Sequence, residues 1–413
     1  MIESSAYGAP VTYSNRKDEV CINTNLRFEQ IIQSPTVAMA DKVGRLKAQG
    51  FPIIGLQTGD PDFDTHPRIV ESALLAITQG KTHYGQSQGS LAVRKAIAQR
   101  YQNRHQIELN PESEVLLTNG GIHAFYVGLQ AIMNPGDEFI IPDPSWATHA
   151  NMVRLLGGIP IPIDALPDEG FLPSIDAWRN AITTRTKGII INYPSNPTGV
   201  YPQKSYLEEL ISLCRDHNLW VISDEVYENL YFAERPISIG SIKNAKERVL
   251  LVNSFSKTYA MTGWRVGYLC APEQVISNAL KAGQLSITCV APFIQQAALT
   301  ALTDIEVNEY AEEMRRAYAR RRQLVLDMTE QNPKNEIRVK APMGAFYYFL
   351  DMRALGLSSF EITERLLTEA NVGVTAGAAF GKNGEGFIRM TIAASDAEIK
   401  EGFAKICEWA GRL

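Results

Sequence analysis

Long apolar runs are missing from this sequence of 413 residues. No stretch approaches the roughly 18 consecutive apolar residues that a membrane-spanning helix needs. The first residues, MIESSAYG, also lack the basic start and the apolar core of a secretory signal. We therefore expect a cytoplasmic protein without a membrane partner.

A surplus of positive charge is missing as well. The 40 Lys and Arg residues are outnumbered by 45 Asp and Glu residues, which gives a net charge of −5. Such a balance lacks the basic footprint of nucleic-acid-binding proteins, so we expect no nucleic-acid partner. Arginines do cluster between residues 315 and 322, but they alternate with apolar positions, and we expect them on a solvated helix face.

Cysteine is scarce and scattered. The five cysteines are Cys21, Cys214, Cys270, Cys289 and Cys407. They show no paired spacing, so they predict neither a disulfide framework nor a zinc site. His-Glu-x-x-His, Gly-x-Gly-x-x-Gly and Walker-type sequences are also absent. The sequence therefore gives no support for a bound metal ion.

Short apolar strands alternate with helical patterns from about residue 80 to residue 302. The predicted strands are residues 139–141, 159–163, 189–191, 221–223, 249–252 and 266–269. This alternation is typical of an α/β fold with a mostly parallel sheet sandwiched by helices. Residues 306–331 predict one long helix, and residues 345–350 and 387–393 predict strands of a smaller α/β domain.

Lys257 is the most informative residue, because it follows the predicted buried strand at residues 249–252. A partly dry position disfavours the ammonium form of lysine and makes a nucleophilic amine available. Ser254, Ser256 and Arg265 lie beside it, and hydroxyls with a guanidinium suit a phosphate. An amine next to a phosphate site suggests a phosphorylated aldehyde cofactor bound as a Schiff base. A surface loop with an ordinary lysine is the alternative.

Three other predicted strands, residues 188–191, 219–222 and 115–117, end in polar turns, where open α/β sheets bind their ligands. The first turn carries Asn196 as an amide donor, or it is a plain Asn-Pro turn. The second carries Asp224, which suits a protonated pyridine nitrogen, and Tyr227, which suits a ring oxygen; helix capping and packing are the alternatives. The third has Gly121 and Ile122 at a helix start, where backbone N–H groups favour phosphate, or it is a turn without a ligand.

Together these segments resemble the class I and II aminotransferases, the fold-type I enzymes that use pyridoxal 5'-phosphate (PLP). Five motifs in the family's order carry the resemblance: Gly-Gly, Asn-Pro-Thr-Gly, Asp-Glu-Val-Tyr, Ser-x-Ser-Lys and a late Gly-Phe-Ile-Arg. The resemblance covers roughly residues 27–413. Residues 59–64 and 261–268 are most similar to the bacterial aspartate-aminotransferase-like subgroup.

The resemblance implies a homodimer with shared active sites. We expect a chain in three parts, the first of which lies largely outside the resemblance. Residues 1–30 are expected to form an N-terminal arm, either free or packed over the active site or the partner subunit. Residues 31–62 together with residues 305–413 form a small domain. Residues 63–304 form the large PLP-binding domain.

The resemblance also gives each site residue a role. Lys257 matches the lysine that forms the Schiff base and moves the proton, while Asp224 and Tyr227 complete the catalytic set. The other residues matched to the cofactor are Gly121, Ile122, Trp146, Asn196, Ser254, Ser256, Arg265 and, from the partner subunit, Tyr84. The residues matched to the substrate are Gly59, Asn196 and Arg389, and Arg389 is the one that binds the α-carboxylate.

The implied activity is transamination between an L-amino acid and a 2-oxo acid by a ping-pong mechanism. Aspartate-preferring relatives carry a lysine where this chain has Ile122, and isoleucine cannot pair with a carboxylate. We therefore expect an aromatic or other neutral amino acid as donor. The alternative is a PLP-dependent lyase, oxidase or cyclase of a biosynthetic pathway, because the same residues support those reactions. A non-catalytic protein on this fold is disfavoured by the intact set of site residues.

Overall fold

A computed structural model describes residues 35–331 and 336–413, together with Asn25, Phe28, Glu29 and Ile31. The predicted N-terminal arm, residues 1–30, lies largely outside the described residues. None of the helices in the described ranges is long and apolar enough to cross a membrane.

The described residues form twelve α-helices and twelve strands. The helices are α1 (Pro35–Ala48), α2 (Pro67–Thr78), α3 (Leu91–His105), α4 (Gly120–Ile132), α5 (Thr148–Leu155), α6 (Ile175–Asn180), α7 (Lys204–Asp216), α8 (Glu273–Ser286), α9 (Pro292–Thr303), α10 (Ile305–Glu330), α11 (Ser359–Glu369) and α12 (Asp396–Ala410). The strands are β1 (Ile54–Gly55), β2 (Val115–Thr118), β3 (Glu138–Asp143), β4 (Ile159–Asp164), β5 (Thr186–Asn192), β6 (Trp220–Asp224), β7 (Val249–Ser254), β8 (Gly267–Cys270), β9 (Tyr347–Asp351), β10 (Val372–Gly373), β11 (Thr375–Ala376) and β12 (Phe387–Thr391).

Seven strands form the central sheet, in the order β2-β8-β7-β6-β5-β3-β4. Among these seven, β8 runs antiparallel to both of its neighbours, and the other pairs are parallel. The predicted α/β fold with a mostly parallel sheet is therefore confirmed. β4 lies at one edge, where Pro160 and Pro162 lack the N–H groups that a further strand would need.

Both faces of the central sheet are buried. Ile189 and Ile191 of β5 lie in one apolar cluster with Leu210 of α7. Ile190, which lies between them, belongs to a second cluster with Phe125 of α4. Because successive side chains of a strand point to opposite faces, this division shows that helices cover both sides of the sheet.

Two smaller sheets lie beyond the central one. β11, β12 and β9 form an antiparallel sheet, and β1 pairs with β10 in parallel. α11 and α12 contact these strands, while α10 contacts both α9 and α12. The predicted long helix and the two predicted C-terminal strands are confirmed as α10, β9 and β12. The boundaries of the two domains stay a prediction.

The arginine cluster of α10 differs from its prediction. Arg321 is only 8% exposed, and its guanidinium donates to the carboxylates of Asp62 and Asp396. The expectation of a solvated face is therefore wrong for this residue, whereas Arg316 and Arg320 are exposed. The helical period places Arg321 toward the core, and its carboxylate partners come from segments far away in the chain.

Candidate active site

A cavity of about 340 Å³ lies at the carboxyl ends of β5, β6 and β7. This is the position at which open α/β sheets bind ligands. Twelve of the thirteen predicted site residues line it: Gly59, Gly121, Ile122, Trp146, Asn196, Asp224, Tyr227, Ser254, Ser256, Lys257, Arg265 and Arg389. Residues from both ends of the described chain therefore meet in one site.

Tyr84 is the predicted site residue that lies outside this cavity. Its side chain is 87% exposed. Such exposure suits a residue that acts in a neighbouring subunit, and this role of Tyr84 stays a prediction.

Lys257 lies just beyond β7, and its amine faces the cavity. Nζ donates a hydrogen bond to the carbonyl oxygen of Gly59 and lies 5.7 Å from the centre of the Phe346 ring. Burial lowers the pKa of Lys257 to about 8, and the positive charges of Arg389 and Arg265 act in the same direction. About a tenth of this amine is therefore neutral and nucleophilic at pH 7, far more than for an ordinary lysine.

Asp224 is the last residue of β6, and both of its carboxylate oxygens have hydrogen-bond partners. Oδ1 accepts from the backbone N–H of Val226 at 3.2 Å, and Oδ2 lies 3.1 Å from Nε2 of His149. Because an ionised carboxylate only accepts hydrogen bonds, His149 is the donor. His149 is 1% exposed and packs edge-on against Trp146, with 5.1 Å between the ring centres. The pair fixes the direction in which Asp224 presents its negative charge.

Sequence reasoning missed His149. It lies three positions after Trp146, and these residues meet because α5 begins between them. A histidine one helical turn from a predicted ring-stacking residue is a weak signal, and its contact with Asp224 spans 75 positions.

Arg389 lies on β12 and is 4% exposed. Nη1 donates to Oδ1 of Asn196 at 2.9 Å, and Nη2 donates to the backbone oxygen of Gln57 at 2.7 Å. The guanidinium lies over the ring of Tyr347, with Cζ 4.2 Å from its centre. Nε has no hydrogen-bond partner, and the partners of Nη1 and Nη2 among the described residues are neutral oxygens and not carboxylates. A buried cation without a counter-ion is a site for an anionic ligand.

Several residues whose groups suit an anion lie around the start of α4. Gly121, Ser254, Ser256 and Arg265 all line the cavity here. A Cβ added to Gly120, whose φ is +81°, would lie 2.6 Å from Nη2 of Arg265. Glycine therefore lets the guanidinium reach the helix start, where free N–H groups and the helix dipole favour a phosphate.

Tyr347 is a further lining residue that sequence reasoning missed. Its hydroxyl lies 3.0 Å from the hydroxyl of Tyr227, and both side chains are buried. The surrounding sequence AFYYFL predicts only an apolar strand, because it contains no polar turn and no charged residue. Only the fold shows which of its tyrosines faces the site.

Comparison with known proteins identifies the family of this chain. The family model for aminotransferase class I and II matches residues 52–406, and the chain belongs to this family. An aspartate aminotransferase of Pyrococcus abyssi is 39% identical over 355 residues, which cover 86% of this chain and 90% of that protein. An aromatic-amino-acid aminotransferase of Thermococcus litoralis is 38% identical and covers 87% of this chain and 92% of that protein.

A solved structure agrees with these relatives. The structure of an aspartate aminotransferase from Thermus thermophilus with maleate has a TM-score of 0.89 and 36% sequence identity to this chain. The match covers 94% of this chain and 99% of that one. The protein is thus an enzyme that transfers amino groups between amino acids and 2-oxo acids, with PLP as its cofactor. The lyase, oxidase or cyclase alternative is not favoured.

The cavity fits PLP on its own geometry. The glycine-lined helix start beside Arg265 suits the phosphate group. The amine of Lys257 suits the aldehyde, and the carboxylate of Asp224 suits the pyridine nitrogen. The uncompensated charge of Arg389 leaves a place for the carboxylate of an amino acid.

Proposed function

We propose that this aminotransferase prefers an aromatic or other neutral amino acid as donor and works by a ping-pong mechanism. The observation that carries the proposal is the cavity wall, where Ile122 and Val37 present apolar side chains. The basic residues among the described lining residues are Lys257, Arg265 and Arg389. With these assigned to the aldehyde, the phosphate and the α-carboxylate, none remains to pair with the distal carboxylate of aspartate.

The phosphate of PLP is proposed to bind at the start of α4. Ser254, Ser256 and Arg265 would donate from their side chains, and Gly121 and Ile122 from their backbone N–H groups. The proximity of these residues at one helix start supports this assignment.

The cofactor ring is proposed to lie between the strand ends and Trp146, which covers one ring face. When bound, PLP supplies an electron sink for the electrons that remain after the α-proton leaves. Asp224, oriented by His149, would hold a proton on the ring nitrogen. Tyr227 and Asn196 donate to the ring oxygen; the oxygen of the Asn196 amide already accepts from Arg389, which turns its NH₂ group toward the cavity.

The substrate is proposed to bind through its α-carboxylate to Arg389, close to the backbone of Gly59. The contact between Nζ of Lys257 and the carbonyl of Gly59 supports this placement, because it brings the amine beside the carboxylate site. Lys257 would then act as the general acid–base that takes the proton from the α-carbon and delivers it to the aldehyde-derived carbon of the cofactor.

The quaternary structure is proposed to be a homodimer with shared active sites, to which Tyr84 contributes from the partner subunit. Exposed apolar side chains near Tyr84 support it: Leu285 is 91% exposed, and its neighbour Gln284 donates a hydrogen bond to Ser87 at 2.9 Å. The division into a small domain and a large domain, and the cytoplasmic location, stay predictions from the sequence.

The donor preference is tested by a half-reaction without an oxo acid. The visible absorbance of the PLP-bound enzyme is followed after mixing with phenylalanine, tyrosine, methionine or aspartate, and we expect the neutral donors to react faster. Ile122→Lys is expected to raise the rate with aspartate relative to phenylalanine by about tenfold or more. Ile122→Met serves as the control, because it keeps the wall apolar. A wild-type enzyme that reacts faster with aspartate than with the neutral donors would contradict the proposal.

A further inference from the structure

Tyr347 contacts two parts of the active site that come from distant motifs. It begins β9, is 1% exposed and lines the cavity. Its hydroxyl is 3.0 Å from that of Tyr227, and its ring lies under the guanidinium of Arg389 at 4.2 Å. One side chain therefore contacts both the proposed donor to the ring oxygen and the proposed carboxylate-binding residue.

The direction of the hydrogen bond between the two tyrosines follows from their chemistry. Burial raises the pKa of Tyr227 and of Tyr347, so both hydroxyls are protonated at neutral pH. Each hydroxyl carries a single hydrogen. If Tyr227 gives its hydrogen to the ring oxygen of PLP, its own oxygen can only accept, and Tyr347 must be the donor. Such a chain of hydroxyls polarises the terminal donor and strengthens it.

The surroundings of Tyr347 hold its hydroxyl in place. A Cβ added to Gly59 would collide with this hydroxyl, so the glycine leaves the space that the tyrosine occupies. The charged groups that act on Tyr347 are Arg389, whose guanidinium covers the ring, and Asp60, which adjoins Gly59. The hydroxyl is therefore confined to a position beside Tyr227.

We propose that Tyr347 is a positioning residue for transamination: its hydroxyl strengthens Tyr227 as a donor, and its ring supports Arg389. Tyr347 belongs to β9, which pairs with the strand that carries Arg389, while Tyr227 follows the central strand β6. The tyrosine thus sets the carboxylate site and the ring-oxygen site at a fixed distance from each other. The inference rests on the proposed roles of Tyr227 and Arg389, and it applies to any amino-acid donor.

The test compares Tyr347→Phe with Tyr348→Phe in the PLP-bound enzyme. Tyr348 is the next residue of β9 and is equally buried, but its hydroxyl donates to the backbone oxygen of Arg322 at 2.6 Å, away from the cavity. The readout is the pH titration of the visible absorbance of the bound cofactor. Tyr347→Phe is expected to raise the midpoint by about half a pH unit, because a weaker donor at Tyr227 stabilises the ionised ring oxygen less. Tyr348→Phe is expected to leave it unchanged.

Kinetics then separate the hydroxyl from the ring. Tyr347→Phe keeps the ring under Arg389 and is expected to lower kcat/KM about three- to tenfold, mainly through kcat. Tyr347→Leu also removes the ring and is expected to raise KM for the amino acid in addition. Thermal unfolding of each cofactor-free variant confirms that it folds.

The variant Tyr227→Phe separates a failure of the inference about Tyr347 from a failure of the proposed role of Tyr227. If Tyr227→Phe shifts the midpoint and Tyr347→Phe does not differ from Tyr348→Phe, the inference about Tyr347 is overturned, while the role of Tyr227 stands. If Tyr227→Phe leaves the midpoint unchanged as well, the proposed role of Tyr227 is itself wrong. A shift for both variants, absent in Tyr348→Phe, supports the inference.

Discussion

The amine of Lys257 shows how surroundings convert an ordinary side chain into a reactive one. Its pKa is lowered from 10.5 to about 8, mainly by burial; the charges of Arg389 and Arg265 contribute to the lowering, and Asp60 opposes it. The unfolded chain therefore binds more protons than the folded chain between about pH 8 and pH 10.5. The contribution of this group to stability consequently rises with pH through that window.

Reactivity of the amine gives a prediction for the cofactor-free enzyme. An amine-reactive probe should modify Lys257 with a pH midpoint of about 8. Asp60→Asn should lower the midpoint, because it removes a negative charge that favours the ammonium form; Arg389→Gln should raise it. Mass spectrometry of peptides measures the modification, with exposed lysines of the same sample as an internal standard. A midpoint above 10, unchanged in both variants, would contradict the prediction.

Residues at strand ends were predictable from sequence, whereas residues that reach the site from elsewhere were not. Lys257, Asp224 and Asn196 each follow an apolar run and precede a turn, which is a local signal. His149 and Tyr347 carry no such signal, because one lies on a helix and the other inside an apolar strand. Their contacts span 75 and 120 positions, and only the folded chain brings them together.

The helix α3 links the two loops that carry the proposed catalytic residues. Glu228, in the loop after β6, accepts from Arg100 at 2.7 Å and from His105 at 2.9 Å. Arg100 also donates to the hydroxyl of Tyr259, two residues after Lys257, at 2.9 Å. Although burial opposes ionisation, the positive charge of Arg100 and the hydrogen bond from His105 hold the pKa of Glu228 well below its usual range.

Removing the carboxylate of Glu228 should lower the stability of the folded protein. Glu228→Gln leaves the buried guanidinium of Arg100 without its carboxylate and is expected to reduce the free energy of unfolding by about 3–5 kcal/mol. Because the pKa of Glu228 is lowered by folding, its contribution is present above about pH 4.5 and is lost as the pH falls below that value. Urea unfolding at pH 7 measures the loss.

The control for this change is a surface ion pair. Glu401 pairs with Lys405 on α12, and its side chain is 61% exposed. Glu401→Gln should change the free energy of unfolding by less than about 1 kcal/mol. Equal losses of unfolding free energy in the two variants would show that the buried link stabilises the fold no more than the surface ion pair does.

The alternation of apolar runs and turns in the sequence predicted the strands of the central sheet. These strands were predicted because each is a short apolar run, and α10 was predicted because its pattern is long and periodic. The order of the strands and the antiparallel direction of β8 were not, since they depend on pairing between segments that are distant in sequence. The burial of Arg321 escaped prediction for the same reason.

At the scale of the whole molecule, several large apolar side chains are exposed to solvent. Tyr84 is 87% exposed and Leu285 is 91% exposed, and Leu74 and Leu75 of α2 are each 58% exposed. The proposed dimer interface would bury such groups. A symmetric dimer that buries them would place Tyr84 of each subunit against the other.

Mixed dimers test whether the active site is shared. Lys257→Ala removes the amine, and Tyr84→Ala removes the tyrosine, so each homodimer should be inactive or weakened. If Tyr84 acts across the interface, a hybrid of the two variants contains one complete site, because the Lys257→Ala subunit lends its tyrosine to the intact lysine of its partner. After unfolding and refolding an equal mixture, about a quarter of all sites should regain wild-type kcat/KM, since about half of the dimers are hybrids. If Tyr84 acts within its own subunit, every site of the hybrid lacks one group, and mixing should give no gain.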